Sequence, residues 1–319
     1  MWKRFLFTIL AALASILLPA CSVAPAPQSE TRSMTDDAGR TISAPIHPTR
    51  IVSLTYGTDE ILTALLSSAR IRAYSKYAGD DGISFLTKDE VSRVGRTVDM
   101  EPEHILALAP DLVIASTSTP MQTVEVLTHS GIPVYVSAIP TTVEAMKGKV
   151  RGVAKAVHEE EKGEALVSDM ESKLAALASK LSAVSPDKER VALGMSFRGI
   201  LGKKGTLFSD VLRLAHVKDG AAVYEVPKGA DAYLSLEILP KIDPDVILLP
   251  TWRVKAGDDT KAFEEGLLSN PALREVTAVK ERRLVPFSEK YKYVMSQHVV
   301  DAVEAAARAV YPEVFVTSD

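Results

Sequence analysis

Short apolar runs rich in branched side chains alternate along this chain with stretches whose apolar positions recur at helical spacing. Runs at 50–54, 71–74, 112–115 and 134–136 predict strands, and the segments between them predict helices. The alternation resumes at 190–195, 246–249 and 284–287 and closes with a helix over 297–310. Apolar strands that alternate with helices predict an α/β fold with mostly parallel, Rossmann-like sheets. Between Thr141 and Val184 there is no proline, and Ala165, Leu166, Met170, Leu174, Leu177 and Leu181 recur at helical spacing. That segment predicts a helical connector, broken or bent near Gly163 and ended at Ser185-Pro186. The resulting organisation is a first lobe over 36–160, a connecting helix over 161–185 and a second lobe over 186–319. A long helix as the link predicts a stiff hinge with small opening motions.

One phrase occurs twice. Glu103 stands seven residues before Pro110-Asp111 and an apolar run, and Glu237 stands seven residues before Pro244-Asp245 and another. The offsets 237 − 103, 244 − 110 and 245 − 111 are each 134. Each copy reads as a helix, a Pro-Asp turn and a buried strand. Two copies at so long a period argue for two related lobes with a ligand cleft between them, and against a solenoid.

The first residues add a compartment. Lys3 and Arg4 precede an apolar run over 5–18 that is too short for a comfortable membrane span, which predicts a signal peptide over 1–20. Leu18-Pro19-Ala20-Cys21 resembles a bacterial lipobox, in which Cys21 is lipidated and becomes the first mature residue, although Pro19 is an unusual choice there. Cys21 is the single cysteine of 319 residues, which removes disulfides and thiolate metal sites from consideration. Residues 21–35 are rich in Pro, Ala and Ser and read as a flexible tether. The formal charge is −4, and removal of Lys3 and Arg4 leaves 35 − 41 = −6. With no mature basic run longer than a pair such as Lys203-Lys204 or Arg282-Arg283, nucleic-acid binding is not expected.

Asp37-Ala-Gly-Arg40 and Pro48-Thr-Arg50-Ile-Val-Ser53 open the first lobe, and Thr58-Asp-Glu60 starts its first helix. The two Glu/Pro-Asp phrases and Gly202-Lys-Lys-Gly205-Thr-Leu-Phe208 follow. In this order and spacing the chain resembles the helical-backbone, or class III, substrate-binding proteins of ABC importers for iron-siderophores, haem and cobalamin. The resemblance implies an exported monomer, lipid-anchored at the cell envelope, that holds a metal chelate between its lobes. It implies delivery to an ABC permease and its ATPase, with Glu103 and Glu237 docking onto basic permease residues. Two carboxylates on two lobes would form a two-point electrostatic key.

In α/β sheets ligands lie beyond the carboxyl ends of the strands. The residues that follow the predicted strands are aromatic and basic. They are Tyr56, Tyr74 and Tyr77 in the first lobe, with Ser116 to Ser118, and Phe197, Arg198, Trp252, Arg253, Tyr291, Lys292 and Tyr293 in the second. Tyr224 and Tyr233 lie in a loop that could add to them. Rings supply flat area at small entropic cost and cations pair with carboxylates or phenolates, so the set fits a large anionic chelate. Arg198, Arg253 and Lys292 favour an iron chelate, siderophore or haem, over the alternative of cobalamin. Against this, any of these tyrosines also reads as a half-buried strand-end residue with a locally satisfied hydroxyl. Haem-binding members of the family carry a Tyr-Pro step after the second strand, whereas Tyr77 is followed by Ala78-Gly79-Asp80-Asp81.

An enzyme is not expected. His47, His104, His129, His158, His216 and His298 show no metal-ligand spacing, and no resident metal or cofactor is read. Neither H-E-x-x-H nor G-x-S-x-G occurs, and Gly199, Gly202 and Gly205 lack phosphate-loop spacing. Asp80-Asp81 and Asp258-Asp259 read as turn residues. His216, which stands where the family often has glycine, reads as a helix-end residue. The alternative classes are a chelatase-like enzyme with His216 or Glu225 as base, and an envelope protein-interaction module, which would show an exposed apolar patch.

Overall fold

The computed structural model describes residues 30–201, 205–224 and 233–316. The expected signal peptide over 1–20, Cys21, Glu225 and the Gly202-Lys203-Lys204 part of one motif lie outside the described residues. The first lobe opens with an antiparallel hairpin of β1 (Thr31–Thr35) and β2 (Thr41–Pro45). Residues 31–35, read from sequence as the end of a tether, are therefore paired strand. Their turn explains it. Asp36 accepts from the Arg40 guanidinium and from Val136 N–H, and Asp37 accepts from the Tyr135 hydroxyl, which pins the Asp37-Ala-Gly-Arg40 turn onto the sheet. Gly39, at φ 79, supplies the left-handed residue that the turn needs.

The lobe continues as β3 (Ile51–Ser53), α1 (Tyr56–Leu65), β4 (Ile71–Ser75), α2 (Lys88–Val94), β5 (Thr97–Val98), α3 (Pro102–Leu106), β6 (Leu112–Ser116), α4 (Met121–His129), β7 (Val134–Ser137) and α5 (Val143–Ala156). Its sheet has the order β5-β4-β3-β6-β7 and is parallel throughout. The second lobe follows α6 (Glu160–Leu181). It comprises β8 (Val191–Ser196), β9 (Gly199–Leu201), α7 (Leu207–Leu214), β10 (Lys218–Asp219), β11 (Tyr233–Leu234), α8 (Leu239–Ile242), β12 (Val246–Leu249), α9 (Thr260–Ser269), α10 (Thr277–Lys280), β13 (Leu284–Pro286), α11 (Glu289–Lys292) and α12 (Val299–Val310). Here β10 and β12 run parallel to β8, and β13 runs parallel to β12, while β9 and β11 add antiparallel pairing. The fold is α/β with mostly parallel sheets. Among the described residues no helix is long and apolar enough to cross a membrane.

The repeated phrase does the same work in both lobes. Asp111 N–H donates to the carbonyl of Arg50 at 3.1 Å, and its carboxylate accepts from Arg50 N–H at 2.9 Å. Asp245 N–H donates to the carbonyl of Val191 at 2.8 Å, and its carboxylate accepts from Val191 N–H at 2.7 Å. Each aspartate thus clips its strand to the first parallel strand of its lobe. The turn before it is matched as well, because Ala109 and Asp243 both have φ 47 and 243 − 109 is again 134. Glu103 and Glu237 are exposed.

The helical segment breaks at 157–159 and not near Gly163, and α6 stands where the connecting helix over 161–185 was expected. α5 and α6 form an antiparallel hairpin, joined by Lys147–Glu171 at 3.0 Å and Arg151–Glu164 at 2.8 Å. The chain reverses at 157–159, where His158 is left-handed at φ 59. Gly163 is not a bend; a Cβ there would lie 2.5 Å from the Cβ of Ala154, so glycine lets the two helices touch. The 22 residues of α6 span about 33 Å at the helical rise. One apolar cluster runs from Ile51 and Met146 through Val167 and Met170 to Val211, Val246 and Val303. A core shared by both lobes resists wide separation.

The lobes also meet directly. A Cβ on Gly57 would lie 2.4 Å from the carbonyl oxygen and 2.6 Å from the Cβ of Met295. Neither atom can swing away. Gly57→Ala is expected to lower stability by about 1–3 kcal/mol in urea unfolding, through overpacking at this seam. An unchanged unfolding midpoint would mean that the seam opens freely.

Candidate functional site: a cleft between the lobes

The chain segments that leave β3 and β4 meet those that leave β8, β12 and β13 around a cavity of about 590 Å³. Tyr56 enters it because Thr55 caps α1, its side chain accepting from Thr58 N–H, which fixes Tyr56 as the first helical residue. The Tyr56 hydroxyl donates to the carbonyl of Tyr293 across the lobes at 2.7 Å. Burial pushes the Tyr56 phenol far above its ordinary range, and burial beside Tyr233 does the same for Tyr293. Burial thus favours the neutral, hydrogen-bonding phenol in both rings.

Trp252 forms the opposite wall. Its backbone N–H donates to Glu289 at 2.7 Å, its indole N–H donates to Asp80 of the first lobe at 3.2 Å, and Tyr77 meets it edge-on at 6.5 Å. Gly82 is required beneath the indole, since a Cβ there would lie 1.8 Å from Cδ1. Asp80 is a turn residue that accepts from Gly82 N–H at 2.9 Å and also ties the lobes together. Glu289 is buried and also accepts from Thr251 N–H and hydroxyl, both at 2.9 Å. Its partner Lys292 donates at 2.9 Å to the carbonyls of Met195 and Leu249, at the ends of β8 and β12.

The sequence-nominated residues separate as follows. Tyr56, Tyr77, Phe197, Arg198, Tyr233, Trp252 and Tyr293 line the cavity. Tyr74 does not: it is 1% exposed, and its hydroxyl bonds Thr63 of α1 at 2.7 Å, because its side chain turns into the core behind the sheet. Tyr291 packs between Phe85 and Phe287, at 5.4 and 5.6 Å, outside the lining. Arg253 points away and pairs with Asp259 at 2.8 Å, while Lys255 lines the cavity in its place. Lys292 is buried under the second sheet, where it holds strand ends together and is not available as a ligand cation. Asp258 accepts from Val254 and Lys255 N–H, as a turn residue does. His216 ends α7 with φ 56 and its Nδ1 lies 3.3 Å from the carbonyl of Val184.

A side chamber of about 210 Å³ opens beside the cleft and shares Tyr56 and Tyr77 with it. Ser116 and Ser118 line this chamber, as does Lys149, which sequence reasoning missed. A signal existed. Lys149 falls on the stripe of α5 that carries Met146, Val150 and Val153, where a lysine breaks an apolar face. The Thr58-Asp-Glu60 motif is buried beside it: Asp59 accepts from Ser75 N–H and hydroxyl, and burial pushes its carboxyl up to about 7. Glu60 accepts from the Ser296 hydroxyl of the second lobe, and burial raises its carboxyl too.

Two α/β lobes closed on an aromatic, partly cationic cleft define a bilobal ligand-binding protein. Residues 51–291 match the model of the periplasmic binding protein family, and the chain belongs to that family. It is an exported substrate-binding protein of the class III type and not an enzyme. It is similar to the putative ABC transporter substrate-binding lipoprotein YhfQ of Bacillus subtilis strain 168, at 27% identity over 282 residues, covering 83% of this chain and 86% of that one. It is also similar to the probable siderophore-binding lipoprotein YfiY of the same organism, at 24% identity over 288 residues, covering 84% and 85%. Among solved structures, the apo periplasmic heme-binding protein RhuT of Roseiflexus sp. RS-1 matches with a TM-score of 0.67 and 23% identity, covering 83% of this chain and 98% of that one.

Proposed function

We propose that this protein is the monomeric, lipid-anchored receptor of an ABC importer and that it captures an iron chelate, a ferric siderophore ahead of haem, between its lobes. The cleft carries this reading: Tyr56, Tyr77, Trp252 and Tyr293 offer ring faces and edges, and Arg198 and Lys255 offer charge to an anionic complex. The Tyr56 hydroxyl is already engaged by the Tyr293 carbonyl, which favours a preassembled chelate over iron ligated at that oxygen. The names of YfiY and RhuT support the same two cargo classes. Anchoring would run through Cys21, and delivery through the exposed Glu103 and Glu237.

Trp252 makes the reading measurable, because the chain has two tryptophans and the other is Trp2. The purified protein is titrated with several ferric siderophores, haemin and cobalamin, with correction for ligand absorbance. Saturable quenching by a ferric siderophore at micromolar affinity or tighter, absent in Trp252→Phe, is the expected result. Quenching by cobalamin alone would reassign the cargo, and no saturable change with any of them would sink the chelate reading.

A further inference from the structure

The side chamber holds a charge without a partner. Lys149 is 4% exposed, and among the described residues its ammonium makes no hydrogen bond and no ion pair. The carboxylates whose charge reaches it, Glu60 and Asp37, are engaged elsewhere. Glu60 accepts from Phe85 N–H at 2.9 Å and from Ser296, and Asp37 accepts from the Tyr135 hydroxyl at 3.0 Å and Ala138 N–H at 2.9 Å. Lys292 is as deeply buried but donates to two carbonyls and a carboxylate, so the contrast is one of role. Its ammonium keeps a little surface open to the chamber, where no protein group meets it, and packing does not ask for a charge there, since Met146, Val150 and Val153 fill the neighbouring positions of the same stripe.

The rest of the chamber suits an anion. The hydroxyls of Ser116 and Ser118 lie 2.7 Å apart. One of them donates in that bond, which leaves the other proton for a third oxygen. We propose that the chamber is an anion subsite, in which Lys149 pairs with a free carboxylate arm of the bound chelate and a Ser116 or Ser118 hydroxyl donates to the same group. This rests on the reading of the protein as a chelate receptor. The chamber is too small for a macrocycle or a metal core, so it takes a pendant arm while the core lies among Tyr77, Trp252 and Arg198 in the cleft. Citrate-type siderophores and the propionates of haem carry such an arm, whereas the trihydroxamate ferrioxamine B does not.

Affinities of the wild-type protein and of Lys149→Met for ferric citrate, haemin and ferrioxamine B are compared by isothermal titration. The variant is expected to lose about ten- to a hundredfold in affinity for a carboxylate-bearing chelate, the worth of one charge-assisted hydrogen bond, and to bind ferrioxamine B as the wild type does. Whether ferric citrate or haemin suffers the loss identifies the source of the carboxylate. Equal affinity of both proteins for every carboxylate-bearing chelate, or an equal loss for ferrioxamine B, overturns the proposal. The thermal midpoint of Lys149→Met is expected to rise, because a largely desolvated charge without a protein partner is removed; a fall overturns the proposal by making Lys149 structural. Should the wild type bind no chelate, the receptor reading fails and iron-free citrate decides the subsite separately. In protein with isotope-labelled lysine, the resonance missing from Lys149→Met shifts saturably with citrate if the subsite exists and stays fixed if it does not.

Discussion

Lys292→Met is expected to destabilise the protein by about 3–5 kcal/mol, the cost typical of removing one partner of a buried ion pair. The side chain of Lys292 has no exposure, and burial draws its ammonium down to about 8 despite the Glu289 carboxylate 3.3 Å away. Methionine would fill the volume but take a donor from the carbonyls of Met195 and Leu249, the latter keeping Phe287 N–H at 3.1 Å, and from one oxygen of Glu289. Urea unfolding measures the loss. Adding Glu289→Gln to Lys292→Met should recover part of it, because no uncompensated charge then remains. The damage should reach the cleft, since Glu289 accepts from Thr251 and Trp252 N–H and so fixes the indole wall. A loss below about 1 kcal/mol would mean that water reaches the pair and that it behaves as a surface salt bridge.

Glu103→Ala combined with Glu237→Ala is expected to reduce cellular uptake of the cargo to background while leaving ligand affinity unchanged. Both glutamates are exposed, they stand at matched positions of the two lobes, and neither lines the cleft. Charges at the rim of an interface act mainly on orientation and association rate, so losing both should uncouple capture from delivery. Each single replacement should leave intermediate uptake, because one point of attachment then survives. Uptake of a labelled chelate by cells, set beside titration of the purified variant, separates the two steps. Weaker binding in the double variant would move these residues into the ligand site, and unimpaired uptake would remove them from docking.

The sequence by itself determined the fold class and the two-lobe repeat. Parallel strands buried on both faces leave continuous apolar runs such as 112–115 and 246–249, and a local backbone clip repeated at Asp111 and Asp245 leaves the same Pro-Asp spelling twice. Tertiary structure alone decided the rest. The reversal at 157–159 uses a left-handed His158, with no glycine or proline to announce it. Tyr56 and Tyr74 both lie near strand ends, yet one reaches the cleft and the other turns into the core towards Thr63. Arg253 and Lys255 share one turn, and an aspartate six residues beyond the arginine draws it away from the ligand side. Periodicity reports which residues avoid water, whereas a cleft is built from residues that are half hidden. Its pairs are also distant in the chain: Trp252 and Asp80 are 172 residues apart, and Tyr56 and Tyr293 are 237 apart. No local pattern encodes such partners, because their meeting depends on how the two lobes close.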